Sequence, residues 1–458
     1  MNILPNTDKY LKLRQEYNFF TYENYHYSID NNNLKIEFEF NLSDKYIFRP
    51  SLTFTSRSFY NFENIPDTLL QNIIFHIGLV ELISYWKAAC PPKIIIKPHF
   101  LDNQQIEFWK KIYFNGLGEF FYLNNINATQ NDFVDILSVS ENKLNKTDIL
   151  TDNSVIIPIG GGKDSVVTLE LLKHYRNDNI PLIMNPRGAS LSTAQLGGFP
   201  QEKIIEINRT IHPQLLELNK QGFLNGHTPF SALLAFVTIL SAAITSKKHI
   251  ALSNESSANE STVENSNVNH QYSKSYEFEA DFRQYIDTYI SSSFNYFSFL
   301  RPISELQIGK LFSKNKKYFM DFKSCNAGSK QDIWCGNCPK CLFAFIILSP
   351  FIKRDKMIEI FGKDMLNDQN MLFYFEQLTG IEKVKPFECV GTVDEVNIAI
   401  NMLIRQLKEE ELPLLLKYYK TLNIYMQYEN LDLKPFLKEF NEEHFLNSDF
   451  ETIIKQYI

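Results

Sequence analysis

The chain has 458 residues, of which 44% are hydrophobic and 22% are charged, a composition typical of soluble globular proteins. This length predicts two to four domains with a large core, and the composition excludes collagen-like, mucin-like and fully disordered classes. The chain has 46 Lys and Arg against 53 Asp and Glu. The resulting net charge of −7 disfavours a protein that binds nucleic acid by broad neutralisation of phosphates.

The N-terminal residues 1–10 lack the basic, apolar and small-residue regions of a signal peptide, so we expect a cytoplasmic protein. The longest uncharged stretch, residues 221–246, contains several Ser and Thr. A membrane span needs about 20 mainly apolar residues, so this stretch predicts a buried helix, with a single membrane helix as the minor alternative.

The first predicted region, residues 1–150, has an α+β pattern. Strands are expected at residues 34–40, which alternate apolar and polar side chains, and at residues 94–96. Residues 67–89 have helical spacing, with Asp67 as a possible N-cap and Cys90-Pro91-Pro92 as the stop. A polar stretch at residues 141–153 is the predicted boundary.

The second predicted region, residues 151–350, alternates strand and helix signals. The expected elements are strands at 155–159, 180–184, 204–207 and 249–252 and helices at 165–174 and 230–245. Such alternation predicts a parallel sheet with helices on both faces. Residues 253–269 are too hydrophilic for the core and predict a loop over the site. The third region, residues 351–458, is expected to be mainly helical.

The strongest local signal is a glycine-rich loop between a strand and a helix, Gly160-Gly161-Gly162-Lys163-Asp164-Ser165. Glycines let the backbone approach an anion closely, and the following helix offers free N–H groups and the positive end of its dipole. Lys163 adds a positive charge and Ser165 a hydroxyl donor. The segment therefore predicts a pyrophosphate-binding loop, against the alternative of a Gly-rich turn without a ligand.

The spacing identifies the kind of loop. A Walker A loop requires Gly where Ile157 stands, and Ser or Thr where Asp164 stands. A dinucleotide fingerprint requires a third Gly where Ser165 stands. The loop instead resembles the PP-loop of ATP pyrophosphatases, Ser-Gly-Gly-x-Asp-Ser, with Gly160 replacing the leading Ser. That resemblance implies cleavage of ATP between the α and β phosphates and adenylation of a substrate oxygen.

A second loop near the nucleotide is also implied by the resemblance. The run Ala251-Leu252-Ser253-Asn254-Glu255 follows a predicted strand and is a candidate for it, with Ser253 and Asn254 near the nucleotide. An ordinary turn at the end of a strand is an equally good interpretation.

Four of the six cysteines are clustered, as Cys325, Cys335, Cys338 and Cys341. In a long chain without an export signal, such spacing predicts metal ligands before disulfides, and four thiolates suit a tetrahedral zinc. A similar pattern follows the PP-loop domain in 7-cyano-7-deazaguanine synthases, where it binds structural zinc. An iron–sulfur cluster, a redox disulfide and buried free thiols remain alternatives. Cys90 and Cys389 stand apart, and a lone cysteine is most often a small core residue.

Longer runs extend the resemblance to residues 70–400. In chain order they are Ser84-Tyr85-Trp86-Lys87, Gly116-Leu117-Gly118-Glu119-Phe120, Asn225-Gly226-His227-Thr228-Pro229, Ser253-Asn254-Glu255-Ser256-Ser257-Ala258, Asn269-His270-Gln271-Tyr272-Ser273-Lys274-Ser275, Phe299-Leu300-Arg301-Pro302, Trp334-Cys335-Gly336-Asn337-Cys338-Pro339-Lys340-Cys341 and Lys385-Pro386-Phe387-Glu388-Cys389-Val390-Gly391. Together they resemble the bacterial UDP-N-acetyl-α-D-muramoyl-L-alanyl-L-glutamate epimerases. The resemblance implies an α/β fold, namely an adenine nucleotide α-hydrolase-like PP-loop sheet with an N-terminal α+β region and a helical C-terminal region.

The resemblance also implies an isomerase that uses ATP and Mg²⁺ to invert the terminal L-Glu of a nucleotide-linked dipeptide in peptidoglycan synthesis. An acyl-adenylate would remove the carboxylate charge and allow a general base to take the α-proton. The expected products include AMP and pyrophosphate. The expected partner is a small nucleotide-sugar dipeptide, without nucleic acid or membrane, and the oligomeric state is open.

Candidate bases in the family-like runs are His227, His270, Lys274, Cys389 and Glu388. Each also has an ordinary structural interpretation, such as a turn histidine or a core cysteine. Arg301 is expected to clamp a carboxylate, or else to be a surface arginine, and Glu255 is expected to contact substrate.

Two further hypotheses concern function. The chain could be another PP-loop enzyme, amidating or ligase-type, that traps the adenylate of a small acid or nucleobase with ammonia or an amine. It could also be a non-catalytic nucleotide-binding protein, although intact Lys163, Asp164 and Ser165 argue against loss of chemistry.

Overall fold

A computed structural model describes residues 6–263 and 268–458 of the chain. Its strands are β1 (Phe19–Asp30), β2 (Asn33–Leu42), β3 (Tyr46–Phe48), β4 (Ser51–Phe54), β5 (Lys93–Ile96), β6 (Asp135–Ser138), β7 (Asp152–Pro158), β8 (Ile180–Met184), β9 (Ile205–Thr210), β10 (Lys247–Leu252) and β11 (Asn295–Ser298). Its α-helices are α1 (Asn6–Glu16), α2 (Asp67–Trp86), α3 (Asn103–Gly116), α4 (Gly118–Leu123), α5 (Lys163–Leu172), α6 (Gly188–Leu196), α7 (Pro213–Lys220), α8 (Phe230–Thr245), α9 (Tyr276–Tyr289), α10 (Glu305–Ser313), α11 (Pro339–Leu348), α12 (Arg354–Phe361), α13 (Leu372–Thr379), α14 (Val393–Ile404), α15 (Leu414–Tyr419), α16 (Asn423–Tyr428) and α17 (Ser448–Lys455).

The described strands form one mixed sheet in the order β11-β10-β7-β8-β9-β4-β2-β1-β5-β6, with β3 paired to β2. Strands β7 to β11 pair in parallel, as the alternation of strands and helices predicted. Strand β4 then pairs antiparallel with β9, with Leu52 opposite Arg209, and joins the N-terminal strands to the same sheet. The α/β class is therefore confirmed, whereas the PP-loop fold stays a prediction.

Helices cover both faces of the parallel part of the sheet, as predicted. Side chains alternate along a strand, so Ile156 of β7 belongs to one hydrophobic cluster while Val155 and Ile157 belong to the other. The first cluster includes residues of α2, α8 and α9, and the second includes residues of α5, α10 and α11. The two apolar faces leave the carboxyl edge of the strands as the place for polar groups.

Two apolar helices form much of the core. By length and composition α2 could cross a membrane, with a mean hydropathy of 1.3, but 89% of that window is buried inside the protein. Helix α8 is buried along most of its length, which confirms the predicted buried helix within residues 221–246.

The limits of α2 differ from the prediction. The N-cap position belongs to Pro66, so the expectation for Asp67 was wrong, and the Asp67 carboxylate instead accepts from Gln71 at 2.6 Å. The helix ends at Trp86, three residues early, because the following residues turn and Cys90 adopts a φ of 49°.

The polar stretch at residues 253–269 is only partly described, since residues 264–267 lie outside the described residues, as do residues 1–5 of the N-terminus. Its described part is a loop with one short 3-10 turn, Ser256–Asn259. Glu255, Ser257 and Thr262 are nevertheless buried. The expectation that the stretch is too polar for burial was therefore wrong for these residues, because hydrogen bonds such as Ser257 to Glu255 satisfy their polar atoms.

Candidate active site

A cleft of about 660 Å³ lies at the carboxyl ends of β7, β8 and β10. Its wall includes the glycine loop (residues 160–165), the residues that follow β8, and Ser253, Asn254 and Glu255 after β10. Seven residues between positions 323 and 332 also line the cleft, as does Cys389. Ligands of open parallel sheets bind at this edge, so the sheet places both predicted nucleotide loops where a ligand is expected.

The glycine loop has a conformation that requires glycine at one position. Gly161 has a φ of 88°, and a Cβ there would come within 2.8 Å of the Ala189 carbonyl carbon at the start of α6. Gly162 is the N-cap of α5, so the free N–H groups of that helix face the loop. A Cβ at Gly160 would have open space around it, so the Ser of the PP-loop pattern would fit there.

Two predicted phosphate ligands in the loop are engaged within the protein. The Ser165 hydroxyl accepts from the Gly161 N–H at 3.1 Å and donates to the Gly162 carbonyl at 2.9 Å. The Lys163 ammonium is buried between the Asp164 and Glu305 carboxylates. Burial would lower the pKa of Lys163, but these two carboxylates outweigh it and raise the pKa, so Lys163 stays charged.

Three carboxylates converge beside the loop. Asp164, Glu255 and Glu305 have oxygens within 4.8 Å of one another, and Asp164 and Glu255 line the cleft. Burial, together with the nearby Asp164 and Glu255 charges, raises the pKa of Glu305, and Lys163 opposes this. Carboxylate oxygens are the donors that Mg²⁺ prefers, so Asp164 and Glu255 fit a divalent cation at the mouth of the loop.

Four predicted catalytic residues come together with Glu119 in a group that we call the acid–base cluster: Glu119, His227, His270, Lys274 and Cys389. The Lys274 ammonium donates to the Cys389 thiol sulfur at 3.0 Å, and both residues line the cleft. The His270 Nδ1 lies 2.5 Å from a Glu119 carboxylate oxygen. The His227 ring is 4.4 Å from the His270 ring, and its Nδ1 lies 3.6 Å from a Glu119 carboxylate oxygen.

The pKa values in this cluster diverge. Burial would lower the pKa of His270, but hydrogen bonds to Cys389 and Glu119 raise it to about 9. Burial and the neighbouring His270 charge lower the pKa of His227 to about 4. Burial would raise the pKa of Cys389, but Lys274, Lys340 and His270 together hold it well below its usual range. Such divergence is typical of acid–base sites.

Three other predicted site residues are Ser253, Asn254 and Glu388. The Ser253 hydroxyl is buried without a hydrogen-bond partner among the described residues, and the Asn254 amide donates to Ser298 at 3.0 Å. The Glu388 carboxylate accepts from Asn326 at 2.5 Å, and burial raises its pKa. Ser253 and Asn254 both line the cleft.

Arg301 is fully buried, so the alternative of a surface arginine was wrong. Its guanidinium donates to the backbone carbonyls of Glu255 and Lys274 and to the Glu279 carboxylate. It thereby connects the two segments that carry Glu255 and Lys274, while a contact with a substrate carboxylate stays a prediction.

The sulfur atoms of the four clustered cysteines lie within 4.8 Å of one another. Sulfur–sulfur distances are 3.7 Å for Cys325 to Cys338 and for Cys335 to Cys341, and 3.4 Å for Cys338 to Cys341. A tetrahedral site with Zn–S bonds of about 2.3 Å has sulfurs about 3.8 Å apart, so the four thiols fit one zinc ion. Backbone N–H groups of Gly328 and Asn337 donate to Cys325 and Cys335, as is usual around thiolate ligands.

Several residues in or beside the cleft could not be identified from the sequence. Glu119 lies inside a family-like run, but neither its spacing nor its type identified it, and Glu305 carries no motif. Positive side chains of Arg187, Lys323, Lys330 and Lys340 also line the cleft. These surround the acids and give the cleft a charge suited to polyanionic ligands.

The chain is similar to known proteins along most of its length. The MurL N-terminal domain matches residues 12–299 and the MurL C-terminal domain matches residues 313–431. A relative from Xanthomonas oryzae pv. oryzae is 30% identical over 378 residues, covering 81% of this chain and 83% of the relative. Relatives from Micromonospora sp. and Salinispora tropica are each 32% identical, covering 74% of this chain and 76% and 74% of the relatives, respectively. All three are named UDP-N-acetyl-alpha-D-muramoyl-L-alanyl-L-glutamate epimerase.

Proposed function

This chain belongs to the MurL family of epimerases and is therefore an isomerase, and we propose that it inverts the terminal L-Glu of UDP-MurNAc-L-Ala-L-Glu to D-Glu for peptidoglycan synthesis. The observation that carries the proposal is that one cleft contains both the glycine loop and two members of the acid–base cluster, Lys274 and Cys389. A phosphate-binding loop alone is compatible with many reactions. A cleft that also contains groups able to transfer a proton favours an epimerisation in which ATP first activates the substrate.

ATP is the proposed activating substrate, bound in a PP-loop fold. The N–H groups of the glycine loop and the N-terminus of α5 would hold the pyrophosphate, and Lys323, Lys330 and Lys340 would balance its charge. Mg²⁺ bound by Asp164 and Glu255 would neutralise phosphate charge at the point where the α–β bond breaks. The chain as a whole has a net charge of −7, but several positive side chains line the cleft, where the phosphates would bind.

The activation step attaches AMP to the terminal glutamate carboxylate and releases pyrophosphate. The α-proton of a carboxylate is very weakly acidic, because its enolate carries a second negative charge. The acyl-adenylate lacks the carboxylate charge, so the α-proton comes within reach of a protein base. Return of a proton to the other face gives the D-centre, and hydrolysis releases the product with AMP.

Structural zinc is proposed for the four-cysteine cluster. Cys338 and Cys341 flank the first turn of α11, and Cys325 lies in the cleft wall, so the ion would fix that wall against the helix. The site uses four protein ligands and leaves no open position, which favours a structural role over a catalytic one.

The test is an incubation of the protein with ATP, Mg²⁺ and UDP-MurNAc-L-Ala-L-Glu, followed by acid hydrolysis and chiral analysis of glutamate. We expect D-Glu together with AMP and pyrophosphate. Asp164→Asn is the matched control, because it removes a charge from the cleft while retaining size, and it should lose AMP formation. ADP as product, or turnover that depends on ammonia, would contradict the proposal and favour a different ATP-dependent enzyme.

A further inference from the structure

We propose that the Cys389 thiolate removes the glutamate α-proton, with Glu119 and His270 as positioning residues. The inference rests on the proposed function and deepens it by assigning the base. Two observations support it. Only some members of the acid–base cluster line the cleft, and among those only the sulfur has a lone pair that can accept a proton.

The first step concerns access. Lys274 and Cys389 line the cleft, whereas Glu119, His227 and His270 are not part of its wall. A ligand in the cleft therefore meets the Lys274 ammonium and the Cys389 sulfur before it meets either imidazole. A base that removes a proton from carbon has to contact that proton. Within the acid–base cluster, the candidates for the base are therefore Lys274 and Cys389.

The second step concerns protonation. Neighbouring charges, above all Cys389 and then Glu255, raise the pKa of Lys274 despite its burial, so its nitrogen keeps its proton. The His270 Nδ1 lies 2.5 Å from a Glu119 carboxylate oxygen, and the neighbouring Cys389 and Glu119 raise the pKa of His270 to about 9 despite its burial, so the imidazole is cationic at neutral pH. The Cys389 sulfur faces these two cations and is the member of the cluster in the cleft with an available lone pair.

The third step concerns how the sulfur is held. Cys389 belongs to the segment between α13 and α14, and its carbonyl accepts from the Lys340 ammonium at 2.9 Å. The Lys385 N–H in the same segment donates to the Thr262 carbonyl at 3.0 Å, and the Lys385 ammonium donates to the Gly391 carbonyl at 2.9 Å. The charged groups facing the thiol are thus Lys274, His270 and Lys340, with Glu388 as the nearby acid.

The proton transfer balances within this cluster. A lone pair of the sulfur accepts the α-proton, and the electron pair of the broken C–H bond moves into the enolate of the acyl-adenylate. Cys389 becomes a thiol, and return of the proton to the carbon re-forms a C–H bond and restores the thiolate. Inversion results when the planar carbon presents its other face to the thiol. The Lys274 ammonium offsets the charge that develops on the enolate oxygen.

Cys389→Ser and Cys389→Ala in the full chain test the assignment, with two measurements on each. Adenylation is followed by exchange of labelled pyrophosphate into ATP in the presence of the L-Glu dipeptide nucleotide. Proton removal is followed by incorporation of deuterium from D₂O at the glutamate α-position. We expect adenylation within about threefold of wild type and α-exchange lower by about 10³-fold, because a positioned base contributes about 10²–10⁴-fold.

Cys90→Ala is the control, because Cys90 is a buried cysteine outside the cleft, and both measurements should stay at the wild-type level. Exchange that stays within tenfold of wild type in both Cys389 variants would overturn the assignment. Loss of adenylation and exchange together would also overturn it, since that pattern marks a structural role. Wild-type protein without pyrophosphate exchange would instead reject the proposed function itself.

The positioning residues are tested by the titration of the thiol. Alkylation of Cys389 by iodoacetamide is measured against pH and assigned by mass spectrometry of the modified peptide. In wild type we expect reaction to persist below pH 7, and in His270→Gln and Glu119→Gln we expect the midpoint to move upward. An unchanged midpoint in both variants would overturn the positioning role, because a residue that only supports the fold would leave the titration in place.

Discussion

At the scale of single residues, the shape of the glycine loop depends on Gly161. Its φ of 88° is a conformation that side chains disfavour, and its Cβ position is already filled by the start of α6. The loop and α6 are therefore packed backbone against backbone, which fixes the direction of the N–H groups at the start of α5. The close approach of Gly161 to α6 cannot be predicted from a Gly-rich sequence pattern, because the pattern does not show which segment packs against the loop.

Gly161→Ala should abolish adenylation, because the added methyl forces the loop away from α6. Gly198→Ala is the matched control, since Gly198 has a φ of 96° but open space around its Cβ. The control should lose about 1–2 kcal/mol of stability from backbone strain alone and retain adenylation. Thermal unfolding and pyrophosphate exchange, measured on both variants, separate the two effects. Equal adenylation in both would show that the contact with α6 is unimportant.

A second residue-scale prediction concerns His76 of α2. Its Nδ1 donates to the Asn72 carbonyl at 2.7 Å, and its Nε2 accepts from the Tyr285 hydroxyl at 2.8 Å, so it is buried as the neutral form. Burial lowers its pKa to about 4, below the unfolded value near 6.5. The stability due to neutral His76 is therefore fully present above pH 6.5 and is lost as pH falls towards 4.

Urea unfolding of wild type and His76→Gln at pH 7.5 and pH 4.5 measures this term. The difference in stability between the two proteins should shrink by about 2–3 kcal/mol at the lower pH, since each pKa unit corresponds to about 1.4 kcal/mol. A constant difference for His76→Gln would mean that the histidine already titrates in the folded protein as it does in the unfolded chain.

At the scale of elements, strands and helices were largely predictable because their patterns are local. Strand β8 and helix α8 have the predicted limits, and β7 and α5 begin and end within three residues of theirs. The limits of α2 were predicted wrongly, because they depend on the backbone angles at Pro66 and Cys90, which residue spacing does not reveal. The pairing of β4 with β9 was not predicted, since alternation tells which face of a strand is buried and not which strand lies beside it.

Helix α11 is the element that links the cysteine cluster to the core. It begins at Pro339, with Cys338 at its N-cap position and Cys341 in its first turn, where the helix dipole favours thiolates.

Elemental analysis should find about one zinc per chain. Cys338→Ser should lose the metal and lower the unfolding temperature, with activity falling only through the loss of stability. Cys90→Ser should keep the metal, and a metal-free, fully stable wild type would contradict the prediction.

At the scale of the whole molecule, the site is assembled from distant parts of the chain. Residues 119, 227 and 270 belong to the part matched by the MurL N-terminal domain, and Cys389 belongs to the part matched by the C-terminal domain. The family-like runs identified His227, His270, Lys274 and Cys389 as candidates, but only the fold brings them together. Lys323 and Lys330 were missed because single charged residues are usually solvated, and only the fold places them in the cleft. Glu119 was missed for the same reason, and only its contacts with His227 and His270 identify it.

The last prediction concerns how the two halves of the cleft depend on each other. If the glycine loop activates the carboxylate and the acid–base cluster then moves the α-proton, incorporation of deuterium from D₂O should require ATP and Mg²⁺ together. An ATP analogue with a methylene group between the α and β phosphates should bind and yet give no exchange, because no adenylate can form. Free L-Glu should exchange at least about 10²-fold more slowly than the nucleotide-linked dipeptide, since the binding energy of the missing groups is lost from the transition state. Loss of the α-proton signal in NMR spectra measures each case directly. Exchange at the same rate without ATP would show that proton removal does not depend on activation of the carboxylate. That result would contradict the proposed mechanism, because the carboxylate charge would then present no obstacle to enolate formation.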